Sequence, residues 1–259
     1  MSKEVIEQGG VELVNKEGIA TITFHHPKSN SLPGKVLKQL AETITSAGKD
    51  DNIKVLILKS EGEKAFCAGA SFDELISIDN AIDGKEFFMG FARVINAARK
   101  CPKFILGRVQ GKAVGGGVGM ASASDCCYAT NSAAVKLSEL AIGIGPFVVG
   151  PAVQRKIGTS AFSELAINAT EWKSAEWAKE KGLYNEVYNS IDELDDAINT
   201  LASKLAGSNP EAMMLLKSAA WDNTENWDTL LEERAEMSGK LVISEFTSNA
   251  INKFKAGAR

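Results

Sequence analysis

The sequence predicts an α/β fold, because short apolar runs and helical patterns alternate along its first half. The apolar runs at 53–58 and 104–109 are typical of buried strands. Apolar residues recur at helical spacing in 34–48 and 84–100. After about Thr159 the pattern becomes helical. The chain therefore begins as an α/β core and ends as a helical appendage.

Each predicted element has a local reason. Two apolar runs flank Lys16-Glu17-Gly18, which predicts a hairpin. Segment 27–33 is rich in Pro, Ser and Asn, which predicts a loop. Pro102 ends the helix predicted at 84–100. The sequence also predicts a helix that follows the glycines at 115–119 and ends near 123, and a strand at 126–129. Further helices are predicted at 160–169, 174–182, 192–206, 209–221 and 225–256. We assign the α/β core to residues 1–200 and the helical region to residues 201–259.

The composition is ordinary for a globular protein, with 259 residues, 44% hydrophobic and 24% charged, and a net charge of −4. This balance gives no reason to expect nucleic acid or an anionic membrane as a partner. The N-terminus shows neither a signal-peptide core nor a presequence, and no stretch approaches the roughly 20 apolar residues of a membrane span. We therefore expect a cytoplasmic protein.

Metal and disulfide chemistry find little support in the sequence. The cysteines Cys67, Cys101, Cys126 and Cys127 form no CxxC pair, which is typical of reduced thiols. The two histidines are adjacent, so a strand would point them to opposite faces. We expect no metal site and no resident cofactor.

Two small-residue segments carry the functional signal. Segments 64–70 (KAFCAGA) and 115–119 (GGGVG) each follow an apolar run. Small residues let a backbone approach a ligand, so two such loops can aim two N–H groups at one oxygen, as in an oxyanion hole. A phosphate loop and a dinucleotide fingerprint do not fit, because no Gly-Lys-Ser/Thr follows and Met120 stands where a third glycine is needed. The alternative is a tight turn with close helix packing.

Four segments resemble signature regions of the crotonase superfamily, which includes enoyl-CoA hydratases and isomerases. They are 27–32 (PKSNSL), 64–75 (KAFCAGASFDEL), 109–120 (VQGKAVGGGVGM) and 137–143 (LSELAIG). The resemblance implies a ClpP-like spiral of ββα units with a C-terminal helical trimerisation region. It also implies an acyl-CoA thioester as ligand, with CoA arriving as part of the substrate, and a homotrimer or dimer of trimers.

The resemblance assigns roles residue by residue. Ala70 and Gly116 match the positions whose N–H groups hold the thioester oxygen, and Glu139 matches a catalytic glutamate. Enolising a thioester places negative charge on that oxygen, which two preorganised donors stabilise. Further positions that the resemblance places against the substrate are Ala68, Ser71, Phe72, Asp73, Gly115, Gly117, Gly119 and Pro146.

One departure from the family bears directly on the reaction. Family hydratases usually carry two glutamates, and the first of these positions is Gly119 here, which has no side chain to transfer a proton. A single carboxylate at Glu139 suits a proton shuttle from C2 to C4 of a 3-enoyl thioester. We therefore expect an enoyl-CoA isomerase. The alternatives are an enoyl-CoA hydratase (including one for branched or dicarboxylic enoyl-CoA), an acyl-CoA decarboxylase and a non-catalytic acyl-CoA binder.

The apolar residues near these motifs have two interpretations. Segment 145–151 is bulky where family members often carry glycines, so it is either core packing or a pocket wall that excludes water. Phe72, Phe87, Phe88 and Phe91 are either core or the lining of an acyl pocket. In both cases the core is the interpretation that we favour.

Three polar positions are interpreted conservatively. Lys253 and Lys255 match a basic end that reaches CoA phosphates in the family, but a solvated tail is the interpretation that we favour. Asp125 follows a predicted helix and is interpreted as structural. Cys67 has no histidine near it in the sequence and is interpreted as packing rather than as a nucleophile.

Overall fold

Two sheets carry the α/β part of the chain in the computed structural model, which describes residues 8–257. The strands of the described range are β1 (Gly10–Lys16), β2 (Ile19–His25), β3 (Val55–Ser60), β4 (Ala65–Cys67), β5 (Ile105–Val109), β6 (Lys112–Val114), β7 (Cys126–Thr130), β8 (Val135–Lys136) and β9 (Glu186–Tyr188). The large sheet has the order β1-β2-β3-β5-β7-β9, and the small sheet has the order β4-β6-β8.

Helices cover the sheets and form the C-terminal part of the described chain. They are α1 (Gly34–Lys49), α2 (Phe72–Leu75), α3 (Ala81–Lys100), α4 (Gly116–Ala123), α5 (Gly150–Ile167), α6 (Ala175–Glu180), α7 (Ile191–Ala206), α8 (Pro210–Ala220), α9 (Trp227–Val242) and α10 (Glu245–Gly257), with a 3-10 turn at Glu139–Ile142. The predicted α/β class is confirmed, with helices concentrated after the last strands of the sheet.

The large sheet is parallel except for its first hairpin. β1 and β2 pair antiparallel around the predicted turn, whereas β2, β3, β5, β7 and β9 pair parallel. Every residue of β5 is buried, and β3 is buried at all positions but one. Strands of a parallel sheet are covered on both faces, which is why these two read as continuous apolar runs.

The chain passes repeatedly from the large sheet to the small one. β3 leads into β4, β5 into β6 and β7 into β8, and α4 follows β6 directly. The strands of the small sheet are also parallel to one another. This alternation agrees with the ββα spiral that the family resemblance implies. It brings the segments after β4, β6 and β8 to one edge of the small sheet.

Several boundaries differ from those that the sequence predicts. The short strands β4, β6, β8 and β9 have no counterpart among the predicted elements, because two or three residues carry too little periodicity. The helix predicted at 160–169 begins at Gly150 and is interrupted at Gly158, whose φ is 76°. The helix predicted at 225–256 is two helices that separate near Ile243. The prediction about the N-terminal segment falls on residues 1–7, outside the described range.

The C-terminal helices pack back onto the core. α9 crosses α3 where two glycines meet, and a Cβ on Gly84 would lie 2.8 Å from the Gly239 carbonyl oxygen. α10 returns across the 3-10 turn, where Phe246 packs on Gly143 and Thr247 is buried. The division at residue 200 stays a prediction, but the helices beyond it close one side of the site described next.

Candidate active site

A cavity of about 1120 Å³ lies where the segments after β4, β6 and β8 meet α10. Its lining is mainly apolar. The loop at Ala68–Ala70, the start of α4 and the 3-10 turn contribute to the lining, and so do Asn249 and Lys253 of α10. Largely apolar cavities with a few converging polar groups are typical ligand sites.

Two backbone N–H groups in this cavity are available to a ligand. The loop after β4 is fixed by its neighbours, because the Leu32 N–H donates to the Gly69 carbonyl (2.8 Å) and the Ser71 N–H donates to the Leu32 carbonyl (2.9 Å). The Ala70 and Gly116 N–H groups donate no hydrogen bond to any described residue. A Cβ built on Gly69 would lie 3.9 Å from the Gly116 nitrogen, so the two loops are adjacent.

Gly115 is required by the approach of Glu139. Its φ of 52° lies in the region that glycine favours. A Cβ at this position would lie 2.8 Å from Glu139 Oε1. The Gly115 N–H also donates to the Lys136 carbonyl at 2.9 Å, which joins the glycine turn to β8. The absence of a side chain at 115 therefore lets a carboxylate stand beside the start of α4.

Glu139 presents a carboxylate in an environment that disfavours its charge. Its Oε2 atom is buried and has no hydrogen-bond partner among the described residues. Burial raises the pKa of Glu139 from 4.5 to about 7, against a smaller lowering by nearby backbone hydrogen bonds. A carboxyl group with this pKa can accept and return a proton near neutrality.

Val149 fills the space where a side chain at Gly119 would lie. A Cβ built on Gly119 would be 2.6 Å from Val149 Cγ1 and 3.6 Å from Ile95 Cδ1. Val149 itself is buried and lines the cavity. The space beside Gly119 is therefore apolar, and Glu139 has no second carboxylate beside it among the described lining residues.

The remaining residues that the sequence assigns to the site divide into two groups. Those that line the cavity are Ala68, Ala70, Phe72, Gly115, Gly116, Glu139 and Pro146. The other four lie behind the lining or beside it. Ser71 caps α2 by accepting from the Glu74 N–H at 3.3 Å, and Asp73 pairs with Lys28. Gly117 faces the Cys67 carbonyl, and Gly119 faces Val149. Their roles toward substrate stay predictions.

More apolar residues line the cavity than we expected from the sequence, where we favoured core packing for them. Phe72, Phe87, Phe88 and Phe91 all line the cavity, and Phe91 also packs flat on Gly116. From the 145–151 segment, Gly145 and the residues through Val149 line it as well. These residues are therefore core on one side and cavity wall on the other, which the sequence pattern does not separate.

Lys253 and Lys136 are the cationic residues of the lining in the described chain. Lys253 lies on α10 and is exposed, and it also contributes to the lining of the cavity, so its role toward CoA stays a prediction; the Lys255 side chain falls outside the described part. The sequence analysis did not single out Lys136, Thr170, Phe246 or Asn249. Only the tertiary contacts of β8, α10 and the loop before α6 bring these four to the site.

Other chemistry finds no support in the described residues. They include no cluster of three or more potential metal ligands. Burial raises the pKa of the Cys67 thiol to about 12, so this cysteine holds its proton and packs, as expected, rather than acting as a nucleophile. None of the described helices has both the length and the apolar character needed to cross a membrane.

Comparison with known proteins agrees with this architecture. The family model described as enoyl-CoA hydratase/isomerase matches residues 14–255. A short-chain-enoyl-CoA hydratase from Clostridium acetobutylicum is 29% identical over 93% of each chain. A peroxisomal Delta(3,5)-Delta(2,4)-dienoyl-CoA isomerase from Arabidopsis thaliana is 24% identical over 86% of this chain and 84% of that one. The crystal structure of an enoyl-CoA hydratase from Bacillus halodurans has a TM-score of 0.87 at 20% identity, covering 94% of this chain and 99% of that one.

The fold is that of the crotonase superfamily. The family match spans nearly the whole sequence, so the chain belongs to the enoyl-CoA hydratase/isomerase family. This membership places it among enzymes of the hydratase/isomerase type.

Proposed function

We propose that this protein is an enoyl-CoA isomerase that moves a double bond with one carboxylate, Glu139. The observation that carries the proposal is the pair formed by Glu139 and Gly119. One acid stands in the cavity with a pKa near neutrality, and Val149 fills the place of the other. A single base in an apolar cavity suits the transfer of one proton between two carbons of the same substrate.

The proposed reaction begins with a 3-enoyl thioester whose carbonyl oxygen accepts from the Ala70 and Gly116 N–H groups. Glu139 removes a proton from C2, and the C–H electron pair enters a dienolate whose negative charge lies largely on that oxygen. The same carboxyl group returns the proton to C4 while the double bond moves to C2–C3. Donors aimed at the developing charge stabilise the transition state more than the ground state. CoA belongs to the substrate, and the proposal needs no resident cofactor.

Product analysis tests the proposal directly. We expect a 3-enoyl-CoA to give the 2-enoyl isomer at unchanged mass, and a 2-enoyl-CoA to gain no water. Products are identified by chromatography and mass spectrometry. A product heavier by one water from either substrate at a comparable rate contradicts the single-base proposal. Loss of carbon dioxide from a carboxylated acyl-CoA would indicate the decarboxylase instead.

A hydratase is the second candidate, because the Clostridium acetobutylicum relative is named as one. The structure suggests a variant that discriminates between the two reactions. In Gly119→Glu/Val149→Gly the carboxylate enters the space that Val149 now fills, and we expect hydration of a 2-enoyl-CoA to rise at least about tenfold, since a positioned acid contributes roughly 10²–10⁴-fold. Rates of water addition are compared with those of the wild-type protein.

Two single variants control this experiment. Val149→Gly opens the space without adding an acid and should not gain hydration. Gly119→Glu keeps Val149 and should lose roughly 1–3 kcal/mol or more of folding stability through overpacking. If Val149→Gly alone hydrates as well as the double variant, space rather than the missing carboxylate limits water addition.

The pH dependence of isomerisation should follow the ionisation of Glu139. The base must be ionised, and its pKa in the folded protein is about 7. We expect kcat/KM for a 3-enoyl-CoA to rise about tenfold per pH unit below this value and to level above it. Initial rates between about pH 5.5 and 8.5 measure the profile. A flat profile over this range would show that Glu139 is not the group that limits proton removal.

A further inference from the structure

Lys136 is an unusual residue for the wall of an acyl cavity. The charged side chains among the described lining residues are Glu139, Lys253 and Lys136. Lys253 belongs to α10, while Lys136 belongs to the strand that leads into Glu139. The rest of the wall near these two is dominated by phenylalanine and aliphatic side chains. A cation in such surroundings calls for an anionic partner.

Strand register explains how Lys136 reaches the cavity. β6 and β8 pair in parallel, with Ala113 opposite Val135 and Val114 opposite Lys136. Ala113 and Val135 are fully buried in the core. Successive side chains of a strand point to opposite faces, so Val114 and Lys136 share the other face, and both line the cavity.

Trp172 holds Lys136 in place. The Lys136 Nζ atom lies 4.5 Å from the centroid of the Trp172 ring, and the Nζ of Lys112 lies 4.8 Å from the same ring. Contacts of this kind favour a cation over the indole face. The ring therefore lies beside two ammonium groups, and of these two lysines Lys136 lines the cavity whereas Lys112 does not.

The described part of the chain supplies no anionic partner for these two lysines. No acidic side chain within it forms an ion pair with Lys136 or with Lys112. Glu139 is not the partner either, because a lysine beside it would lower its pKa, which is instead raised to about 7. Lys136 thus lines the cavity as a half-buried residue, its ammonium group lies over the partly exposed Trp172 ring, and the described residues supply no counter-ion.

The order of the small sheet indicates which part of a thioester would lie near Lys136. β6 is central, with β4 on one side and β8 on the other. Ala70 follows β4, Gly116 follows β6 and Glu139 follows β8. In the proposed reaction the segment after β4 supplies the Ala70 N–H to the thioester oxygen, and Glu139 acts on the acyl carbons C2 and C4. The β8 side, with Lys136, is therefore the acyl side.

We propose that Lys136 binds a carboxylate at the far end of the acyl group, so that the substrate is a thioester of a dicarboxylic acid. Trp172 is the positioning residue for this lysine. The inference rests on the proposed function, because that function places the acyl chain beside β8. A neutral acyl chain of the same length would leave the Lys136 ammonium group facing carbon instead of a carboxylate. The protein would therefore prefer the dicarboxylic thioester over the neutral one.

The test compares 3-hexenedioyl-CoA with its methyl ester, which keeps the chain and removes the charge. For the wild-type protein we expect kcat/KM to be roughly 10- to 100-fold higher with the diacid, as for a hydrogen-bonded charged pair. Lys136→Met should remove most of this preference and leave the ester nearly unchanged. Lys112→Met is the matched control: it touches the same ring from outside the cavity lining and should retain the preference.

Binding separates this inference from the proposed function. Saturated hexanedioyl-CoA and its methyl ester cannot isomerise, so calorimetry measures their affinities whether or not the protein turns over an enoyl-CoA. A diacid preference that Lys136→Met abolishes supports the inference even if no isomerisation is found. Equal affinity for diacid and ester overturns it, as does an equal loss for both thioesters in Lys136→Met. Weaker binding of free CoA to that variant would assign Lys136 to the CoA phosphates and also overturn it.

Discussion

Replacing Glu139 with glutamine should reduce isomerisation of a 3-enoyl-CoA by roughly 10²–10⁴-fold, the usual contribution of a positioned acid–base group. The amide has nearly the same shape but cannot accept the C2 proton. The Ala70 and Gly116 N–H groups are untouched, so the affinity for a saturated acyl-CoA should stay within about twofold. Single-turnover rates and calorimetric affinities measure the two effects separately. Retained turnover would show that another group removes the proton.

The same variant carries its own folding control. The pKa of Glu139 is about 7 in the folded protein, whereas the ordinary value of 4.5 applies in the unfolded state. The unfolded state therefore binds fewer protons between these values, and stability falls as pH rises through them. Glu139→Gln removes this effect, so we expect it to be more stable than wild type at about pH 8, by up to about 3 kcal/mol, and nearly equal at about pH 4. A variant that is inactive and also unstable at high pH would not test the mechanism.

The parts of the site that follow directly from the sequence are those formed by the backbone. Gly115 and Gly116 indicate that another group approaches the backbone closely. In the structure a Cβ on Gly115 would clash with Glu139, and a Cβ on Gly116 would clash with the Phe91 ring. The position of Ala70 follows from the adjacent segment, which is fixed through Leu32. Such positions depend on local backbone conformation, so a short motif identifies them.

Side chains that reach the cavity from distant segments could not be predicted. Val149 is one apolar residue among several in its segment, and nothing local shows that it fills the space beside Gly119. Lys136 follows a buried valine on a two-residue strand, too short for periodicity to indicate which face it occupies. Its partner Trp172 lies 36 positions later. Register and loop paths determine these contacts, and both are tertiary properties.

The fold shows the same division between local and distant signals. α1, α3 and α7 have clear helical spacing and appear close to their predicted ends. Asn209 caps α8 by accepting from the Glu211 and Ala212 N–H groups. The break between α9 and α10 has no proline to announce it, although it lets the last helix turn back over the cavity.

The sequence next to Asp125 indicates a structural role, but the residues that it contacts lie far from it in the sequence. Its Oδ2 accepts from the Ile105 N–H at 2.7 Å and lies 2.8 Å from Lys217 Nζ, and its Oδ1 accepts from Trp221 Nε1 at 2.8 Å. Lys217 is almost fully buried and also donates to the Lys103 carbonyl. Asp125 therefore ties the end of α8 to the large sheet, and α8 leads into the helices that close the cavity.

Replacing Asp125 with alanine should destabilise the protein by about 3–5 kcal/mol, because it leaves a buried ammonium group and two further donors without their acceptor. Chemical denaturation measures the change. Asp125→Asn keeps an acceptor for the indole and should lose less. Glu236→Ala breaks an exposed pair with Lys240 on α9 and should cost under about 1 kcal/mol.

Since α10 carries Asn249 and Lys253 into the cavity, Asp125→Ala should also weaken acyl-CoA binding below its unfolding temperature. A loss no larger than that of Glu236→Ala would mean that packing alone holds the C-terminal helices against the core.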